Sequence, residues 1–81
     1  MVYIIYGITD CPACLRACAD LMEKSCEYVF VETDFAPSYR DSLKEEFSWS
    51  TFPIIIQIEN GIEQFVGGYG ELSKELEKIP R

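Results

Sequence analysis

The hydrophobic residues fall into short runs whose spacing alternates between that of strands and that of helices. Residues 2–6 are β-branched or aromatic and are followed by Gly7, which predicts a buried strand and a turn. From Pro12 to about Ser25, apolar and polar positions separate as on the two sides of a helix. Pro12 suits the first helical position, where its missing N–H costs no hydrogen bond. The predicted apolar side of this helix consists of Cys14, Leu15, Cys18, Leu21 and Met22.

A second strand and a second helix follow. Residues 28–31 form another apolar run, so strand, helix and strand occur in the order of a right-handed parallel βαβ unit. The next helix is predicted to begin within residues 34–37 and to end near Ser48. Its buried side is predicted to carry three side chains at spacings of four, Tyr39, Leu43 and Phe47.

A hairpin completes the sheet. Residues 52–58 and 62–66 flank Asn60 and Gly61, a dipeptide suited to a type I′ turn because both positions tolerate positive φ. These two strands are therefore predicted to be antiparallel.

A short amphipathic helix is predicted at the end of the chain. After Gly67 and Gly68, the apolar residues Leu72, Leu76 and Ile79 lie at positions i, i+4 and i+7. The predicted order is βαβαββα, an α/β protein with a mixed sheet.

Composition and length favour a folded, membrane-free protein. The chain has 81 residues, of which 48% are hydrophobic and 26% charged, so we expect one domain over residues 1–81 with a real core. Its apolar runs are far shorter than the roughly 20 residues that cross a bilayer. Asp10 ends the first run and no basic residue precedes it, so we expect no signal peptide and a cytoplasmic location.

The charged residues exclude several classes of function. Fourteen acidic residues against seven basic ones give a net charge of −7, which argues against nucleic-acid binding. The chain has no His, which excludes His-dependent triads, Cys-His dyads and His-ligated zinc. Any chemistry is therefore expected to come largely from cysteine.

The motif Cys11-Pro12-Ala13-Cys14 lies where the first strand, a turn and the first helix meet. Free N–H groups and the positive end of the helix dipole lower a thiol pKa from about 8.5. We therefore predict that Cys11 is the attacking thiolate and that Cys14, one turn further into the helix, is the resolving thiol. A static disulfide or half of a zinc site are the alternative interpretations.

Three motifs together resemble the glutaredoxin family, in particular its compact bacterial and phage dithiol members. They are the Cys11 to Cys14 motif after the first strand, Thr51-Phe52-Pro53 at the third strand, and Gly67-Gly68 before the last helix. The resemblance implies a thioredoxin-like fold, a four-stranded mixed sheet with helices on both faces. It also implies glutathione-dependent reduction of protein disulfides and glutathione mixed disulfides.

The resemblance further implies partners and a binding site. No bound cofactor is expected, glutathione is the reducing co-substrate, and the clients are disulfide-containing proteins, with ribonucleotide reductase a plausible one; we expect a monomer. Pro53 would follow a cis bond and leave the backbone of Phe52 free to pair with glutathione. The implied glutathione contacts are Arg40, Lys44, Thr51, Phe52, Pro53, Gly68, Tyr69 and Gly70.

Several of the implied glutathione contacts also have a purely structural interpretation. Pro53 could simply begin an edge strand, and the two glycines could form an ordinary strand-to-helix turn. Asp41 could pair with Lys44 and leave the second helix with a solvated ridge.

The sequence also departs from the family pattern. Ile8, Thr9, Asp10 and Ala13 stand where many glutaredoxins have Lys before the motif and Tyr inside it. We expect the carboxylate of Asp10 to raise the pKa of Cys11. Gly70 stands where the family usually has Asp.

These departures keep two other functions open. One is a hydrogen-donor redoxin reduced by thioredoxin reductase, and the other is an iron-sulfur carrier that uses Cys11 with glutathione. The second is suggested by the stretch from Trp49 to Pro53, which resembles single-cysteine glutaredoxins. Cys18 and Cys26 could extend a metal-binding cluster, although buried thiols often serve as small hydrophobic core residues.

Overall fold

The computed structural model of the protein describes residues 1–79 and shows the seven elements in the predicted order. Residues 80 and 81, the end of the predicted 1–81 domain, lie outside the described residues. The elements are β1 (Val2–Gly7), α1 (Pro12–Glu23), β2 (Glu27–Glu32), α2 (Pro37–Phe47), β3 (Ile54–Glu59), β4 (Ile62–Gly67) and α3 (Tyr69–Glu77). No helix within residues 1–79 has the length and hydropathy to cross a membrane.

The four strands form one mixed sheet in the order β2-β1-β3-β4. β1 pairs in parallel with β2, and Val2 lies opposite Glu27. This pair needs a crossover, which α1 supplies, so the predicted βαβ unit is confirmed. β3 is antiparallel to both β1 and β4, with Ile54 opposite Tyr6 and Ile55 opposite Gly67. The carboxyl ends of β1 and β4 therefore meet the amino end of β3 at one end of the sheet.

Helices cover both faces of this sheet, as the resemblance implied. On one face, α1 and α3 pack over the main buried cluster. That cluster consists of Tyr3, Ile5, Ala17, Leu21, Ile55, Leu72 and Leu76. On the other face, α2 contacts the sheet through aromatic pairs: Phe47 stacks on Phe65 with ring centroids 5.2 Å apart, and Tyr39 meets Tyr6 edge-on at 6.2 Å.

The sequence predicted too many buried residues on α1 and α2. Leu15 and Met22 are 68% and 64% exposed, and the buried residues of α1 are Cys14, Ala17 and Leu21. A helix that lies on a sheet buries a stripe at spacings of three and four, and a residue one position away is rotated by about 100° from it. Tyr39 is also exposed, although its ring meets that of Tyr6 edge-on.

The turn at residues 60 and 61 was predicted more accurately than the start of β3. Asn60 and Gly61 have φ values of 54° and 78°, as a type I′ turn requires. β3 begins at Ile54, two residues later than predicted, because the backbone bends at residues 51 and 52. The Phe52–Pro53 peptide bond that follows is cis, as the resemblance implied.

Candidate active site

The first cysteine follows a loop that leaves the sheet at Gly7. Gly7 has no side chain, and this allows close packing against Phe30 and Cys14. A Cβ placed on Gly7 would lie 2.6 Å from Cε1 of Phe30 and 2.9 Å from Sγ of Cys14. Real Cβ atoms essentially never approach heavy atoms this closely. Gly7 therefore allows the end of β1 to lie directly against the sulfur of Cys14.

The same loop is fastened to the residues after β2. The carbonyl oxygen of Gly7 accepts hydrogen bonds from the backbone N–H and the buried hydroxyl of Thr33, at 2.9 and 3.0 Å. Oδ2 of Asp34 accepts from the N–H of Thr9 at 2.7 Å, and the Thr9 hydroxyl contacts the carboxylates of Asp34 and Glu32. The Thr9 hydroxyl is the main cause that lowers the pKa of Asp34, since it stabilises the carboxylate.

Cys11 stands at the N-terminus of α1 as its cap. Its Sγ atom accepts a hydrogen bond from the N–H of Cys14 at 3.2 Å. The two cysteines form a disulfide, and their Cα atoms are 5.2 Å apart. Cys11 is 9% exposed and Cys14 is 1% exposed. Cys11 is therefore the sulfur more open to a substrate and also the sulfur that the helix N-terminus stabilises.

The segment before β3 lies beside this sulfur. Sγ of Cys11 is 4.0 Å from the carbonyl oxygen of Phe52, and Pro53 is buried while Thr51 is exposed. Within residues 1–79, the N–H of Phe52 has no hydrogen-bond acceptor. One backbone donor next to the dithiol is therefore left unpaired within the described residues.

The two basic residues of α2 differ in their surroundings. Nζ of Lys44 lies 5.4 Å from the centroid of the Phe52 ring, so Lys44 does reach the segment beside Cys11. Nε of Arg40 lies 4.0 Å from a carboxylate oxygen of Asp41, is buried, and makes no hydrogen bond in the described part of the chain. Asp41 thus pairs with Arg40, and the alternative pairing of Asp41 with Lys44 is not formed.

Gly67 and Gly68 lie where β4 turns into α3. Gly67 has a φ of 124°, which favours glycine, and Gly68 is the N-cap residue of the helix. The N–H of Gly68 donates to Oε1 of Glu71 at 3.0 Å. Sequence reasoning missed Glu71, although an acidic residue three positions after a cap is a known capping pattern.

Tyr69 contributes its side chain to the packing of two helices. Its hydroxyl donates to Oδ2 of Asp20 in α1 at 2.6 Å, and this carboxylate raises the pKa of Tyr69. The side chain of Tyr69 is thereby committed to Asp20, which leaves its backbone N–H for any ligand.

Three of the predicted groups are brought together by the sheet. Tyr6 pairs with Ile54 and Ile55 with Gly67, so the Cys11 loop, the cis proline and the two glycines lie at the same end of the sheet. Lys44 joins them through Phe52. The predicted glutathione-contacting groups therefore lie at the same end of the sheet as the dithiol.

The other two cysteines lie apart from this dithiol chemistry. Cys18 and Cys26 are free, partly buried, and packed against the main core cluster. Burial raises the pKa of the Cys18 thiol. Within residues 1–79, no group of three or more His, Cys, Asp or Glu side chains is arranged to hold a metal ion.

Comparison with known proteins agrees with this geometry. The sequence model of the glutaredoxin family matches residues 3–61. The chain belongs to the glutaredoxin family. The solution structure of glutaredoxin from Brucella melitensis is 31% identical, with a TM-score of 0.77, over 96% of this chain and 80% of that chain.

More distant glutaredoxin structures share the fold. Reduced Escherichia coli glutaredoxin is 22% identical, with a TM-score of 0.71, over 96% of this chain and 95% of that chain. The glutaredoxin-like protein NrdH-redoxin from Escherichia coli is 15% identical, with a TM-score of 0.70, over 100% of this chain and 97% of that chain. Among curated proteins, no sequence matches this chain significantly.

Family and motif together establish the type of chemistry. A glutaredoxin with a Cys-x-x-Cys pair, here Cys11 and Cys14, is a thiol-disulfide oxidoreductase. Its clients are disulfide-containing proteins, and the family's reaction needs no prosthetic group because the sulfur atoms carry the electrons.

Proposed function

We propose that the protein reduces protein disulfides and glutathione mixed disulfides with electrons from glutathione, Cys11 attacking and Cys14 resolving. One observation carries this proposal: the Cys11 sulfur caps α1, accepts the Cys14 N–H at 3.2 Å, and lies 4.0 Å from the Phe52 carbonyl. A thiolate there is stabilised by the helix N-terminus and meets a substrate held against the backbone of Phe52.

The proposed cycle balances sulfur bonds and electrons. The Cys11 thiolate attacks the client disulfide, forms a mixed disulfide and expels one client thiolate. The Cys14 thiol loses its proton and attacks Cys11, which releases the second client thiol and closes the disulfide. One glutathione thiolate then attacks Cys11 and frees Cys14. A second attacks the bound glutathione sulfur, releasing glutathione disulfide and the Cys11 thiolate.

The proposed glutathione site lies at the end of the sheet where the Cys11 loop, Pro53 and the two glycines meet. Phe52 would pair with the peptide backbone, next to Thr51 and Pro53. The backbone amides of Tyr69 and Gly70 would bind the γ-glutamyl carboxylate beside Gly68, whose own N–H donates to Glu71, because a helix N-terminus favours an anion.

The glycine carboxylate would meet the basic residues of α2. Lys44 supports this role best, since its Nζ already lies at the Phe52 ring. Arg40 would join it through the guanidinium, whose Nε has no hydrogen bond in the described residues. The protein would act as a monomer in the cytoplasm, where thiols are kept reduced.

A coupled assay tests the proposal. NADPH consumption is followed with glutathione, glutathione reductase and a small glutathione mixed disulfide. We expect wild type to turn over, Cys11→Ser to fall to the uncatalysed rate, and Cys14→Ser to keep activity because glutathione can resolve the mixed disulfide itself. Cys18→Ser is the matched control and should behave as wild type, since Cys18 is free and partly buried.

A second candidate is a hydrogen-donor redoxin reduced by thioredoxin reductase. The similarity to NrdH-redoxin, described as having a thioredoxin-like activity profile, and Gly70 in place of the usual Asp favour it. Wild type that is inactive with glutathione but active with thioredoxin reductase would select this candidate. Ribonucleotide reductase is a client to test in either case. Iron-dependent colour after anaerobic purification would instead indicate the iron-sulfur carrier.

A further inference from the structure

The ring of Phe30 occupies the space beside Gly7, next to the sulfur of Cys14. Phe30 lies opposite Ile5 in the parallel β1–β2 pair, so its side chain is on the face of the sheet that Ile5 and α1 share. Cε1 and Cζ of the ring lie 2.6 and 2.8 Å from the point that a Cβ on Gly7 would occupy, and Sγ of Cys14 lies 2.9 Å from the same point. The edge of the ring and the sulfur are therefore neighbours.

Phe30 also stands at an open edge of the sheet. β2 is the end strand in the order β2-β1-β3-β4, and no strand of residues 1–79 pairs with its outer side. Phe30 is 37% exposed, whereas Cys14 is 1% exposed. Part of the ring meets solvent while its Cε1–Cζ edge lies beside the buried sulfur, which places the ring between Cys14 and the solvent at this edge.

Access to Cys14 matters because a thiolate can attack either sulfur of a disulfide, at a rate that depends on access to that sulfur. Attack on Cys11 forms a bond from the incoming sulfur to Cys11 and breaks the Cys11–Cys14 bond. Cys14 then leaves as a thiolate and takes up a proton. Attack on Cys14 would instead leave the reductant on Cys14, and the neighbouring Cys11 thiolate would expel it again without net reduction.

We propose that Phe30 is a positioning residue for this chemistry: its ring shields the sulfur of Cys14 and thereby restricts thiolates and disulfides from solution to Cys11. This inference rests on the proposed roles of Cys11 as attacking and Cys14 as resolving residue. It gives a function to a large aromatic side chain that is partly exposed on an edge strand.

Alkylation of Cys14 in a Cys11→Ser background tests the shielding. Native, reduced protein is treated with uncharged iodoacetamide below the ordinary thiol pKa of about 8.5, and adducts are followed by mass spectrometry. Trypsin separates the remaining cysteines into peptides 1–16 with Cys14, 17–24 with Cys18, and 25–40 with Cys26. Phe30→Ala should raise the Cys14 rate about tenfold, the effect of one pKa unit on the thiolate fraction, and leave the Cys18 rate unchanged.

Three further variants separate the ring edge from general packing. Phe30→Leu keeps an apolar side chain but lacks Cε1 and Cζ, so it should raise the Cys14 rate, and it replaces Phe30→Ala if that variant does not fold. Phe30→Met restores the length of the side chain and should keep the Cys14 rate low. Val29→Ala is the matched control and should change neither rate, since Val29 is 52% exposed and lies on the other face of the same strand.

Glutathione disulfide serves as a second probe in the same background. The Cys14 thiolate attacks one of its sulfur atoms, gains a glutathionyl group and releases one glutathione thiolate. The adduct on peptide 1–16 should form slowly when Phe30 is present and faster in Phe30→Ala and Phe30→Leu. This measures directly whether the ring keeps disulfides from solution away from Cys14.

The possible failures can be told apart. A Cys14 rate that no Phe30 variant changes overturns the inference. Equal increases at Cys14 and Cys18 overturn it as well, because the ring would then act through the stability of the whole fold. Iodoacetamide needs no glutathione site, so an increase confined to Cys14 supports the role of Phe30 even if the coupled assay shows no activity with glutathione. Coupled activity together with rapid alkylation of Cys14 beside an intact Phe30 would leave the proposed function standing and overturn the role of Phe30.

Discussion

Gly7 and Thr33 show how single residues position the redox-active sulfur atoms. Both are buried, and the carbonyl oxygen of Gly7 accepts both donors of Thr33. These two hydrogen bonds hold the end of β1 beside the sulfur of Cys14. The absence of a side chain at Gly7 then leaves room for the sulfur of Cys14 and the ring of Phe30. At this position, glycine is required for its size and not for its backbone freedom.

Gly7→Ala tests this packing. A methyl group there would overlap the Cys14 sulfur, which is 99% buried and cannot easily move, although the partly exposed Phe30 ring can. We expect a loss of about 1–3 kcal/mol in the free energy of unfolding, as for other overpacked cores. Urea denaturation measures it. Gly70→Ala, with no heavy atom within 4 Å of the new Cβ, should not destabilise; equal effects of both variants would contradict the packing argument.

At the scale of elements, the loop between β1 and α1 depends on the residues that follow β2. Thr9 lies two residues before Cys11. Its backbone N–H donates to the carboxylate of Asp34, and its hydroxyl contacts the same carboxylate. Asp10, between them, has a φ of 55° and turns the chain into the helix cap. The parallel β1–β2 pair brings these distant segments together, so the position of Cys11 depends on a contact 25 residues away in the sequence.

Thr9→Val should raise the pKa of Asp34 toward its ordinary value, because the Thr9 hydroxyl is the main cause that lowers it. A carboxyl group whose pKa is lowered by folding stabilises the protein above its unfolded pKa of about 4, and this stabilisation is lost as the pH falls through the folded pKa. The variant should therefore be less stable than wild type at neutral pH, and the gap should close in acid.

Urea midpoints at neutral and acidic pH, with the Asp34 pKa from NMR titration, measure this effect. Thr51→Val is the matched control, since the exposed hydroxyl of Thr51 makes no hydrogen bond within residues 1–79. A gap of the same size at both pH values would show that Thr9 acts by packing alone.

At the scale of the whole molecule, periodicity and turn chemistry predicted the element order, because strands and helices bury side chains at different spacings. Leu15 and Met22 were misplaced because burial on a helix depends on what packs against it, which spacing alone does not reveal. The cysteine motif is a local signal and was predictable, whereas the cis bond before Pro53 was implied by the resemblance to the glutaredoxin family.

Other parts of the candidate site depend on contacts distant in sequence. The bonds from Thr9 to Asp34 and from Tyr69 to Asp20 join residues 25 and 49 positions apart, so no local pattern predicts them. The unpaired N–H of Trp49 likewise becomes visible only when the turn at Gly68 is placed beside it.

The fold also divides the four cysteines into two classes, and thiol counting can verify this division. Oxidised protein, denatured and alkylated with iodoacetamide, should carry two adducts, on Cys18 and Cys26. In the native reduced protein, burial raises the pKa of Cys18, so its thiolate fraction near pH 8 is small and it should react more slowly than Cys11. Unfolding should abolish that difference. Oxidised protein without any adduct would reveal a second disulfide between Cys18 and Cys26, and these residues would then belong to the redox chemistry and not to the core.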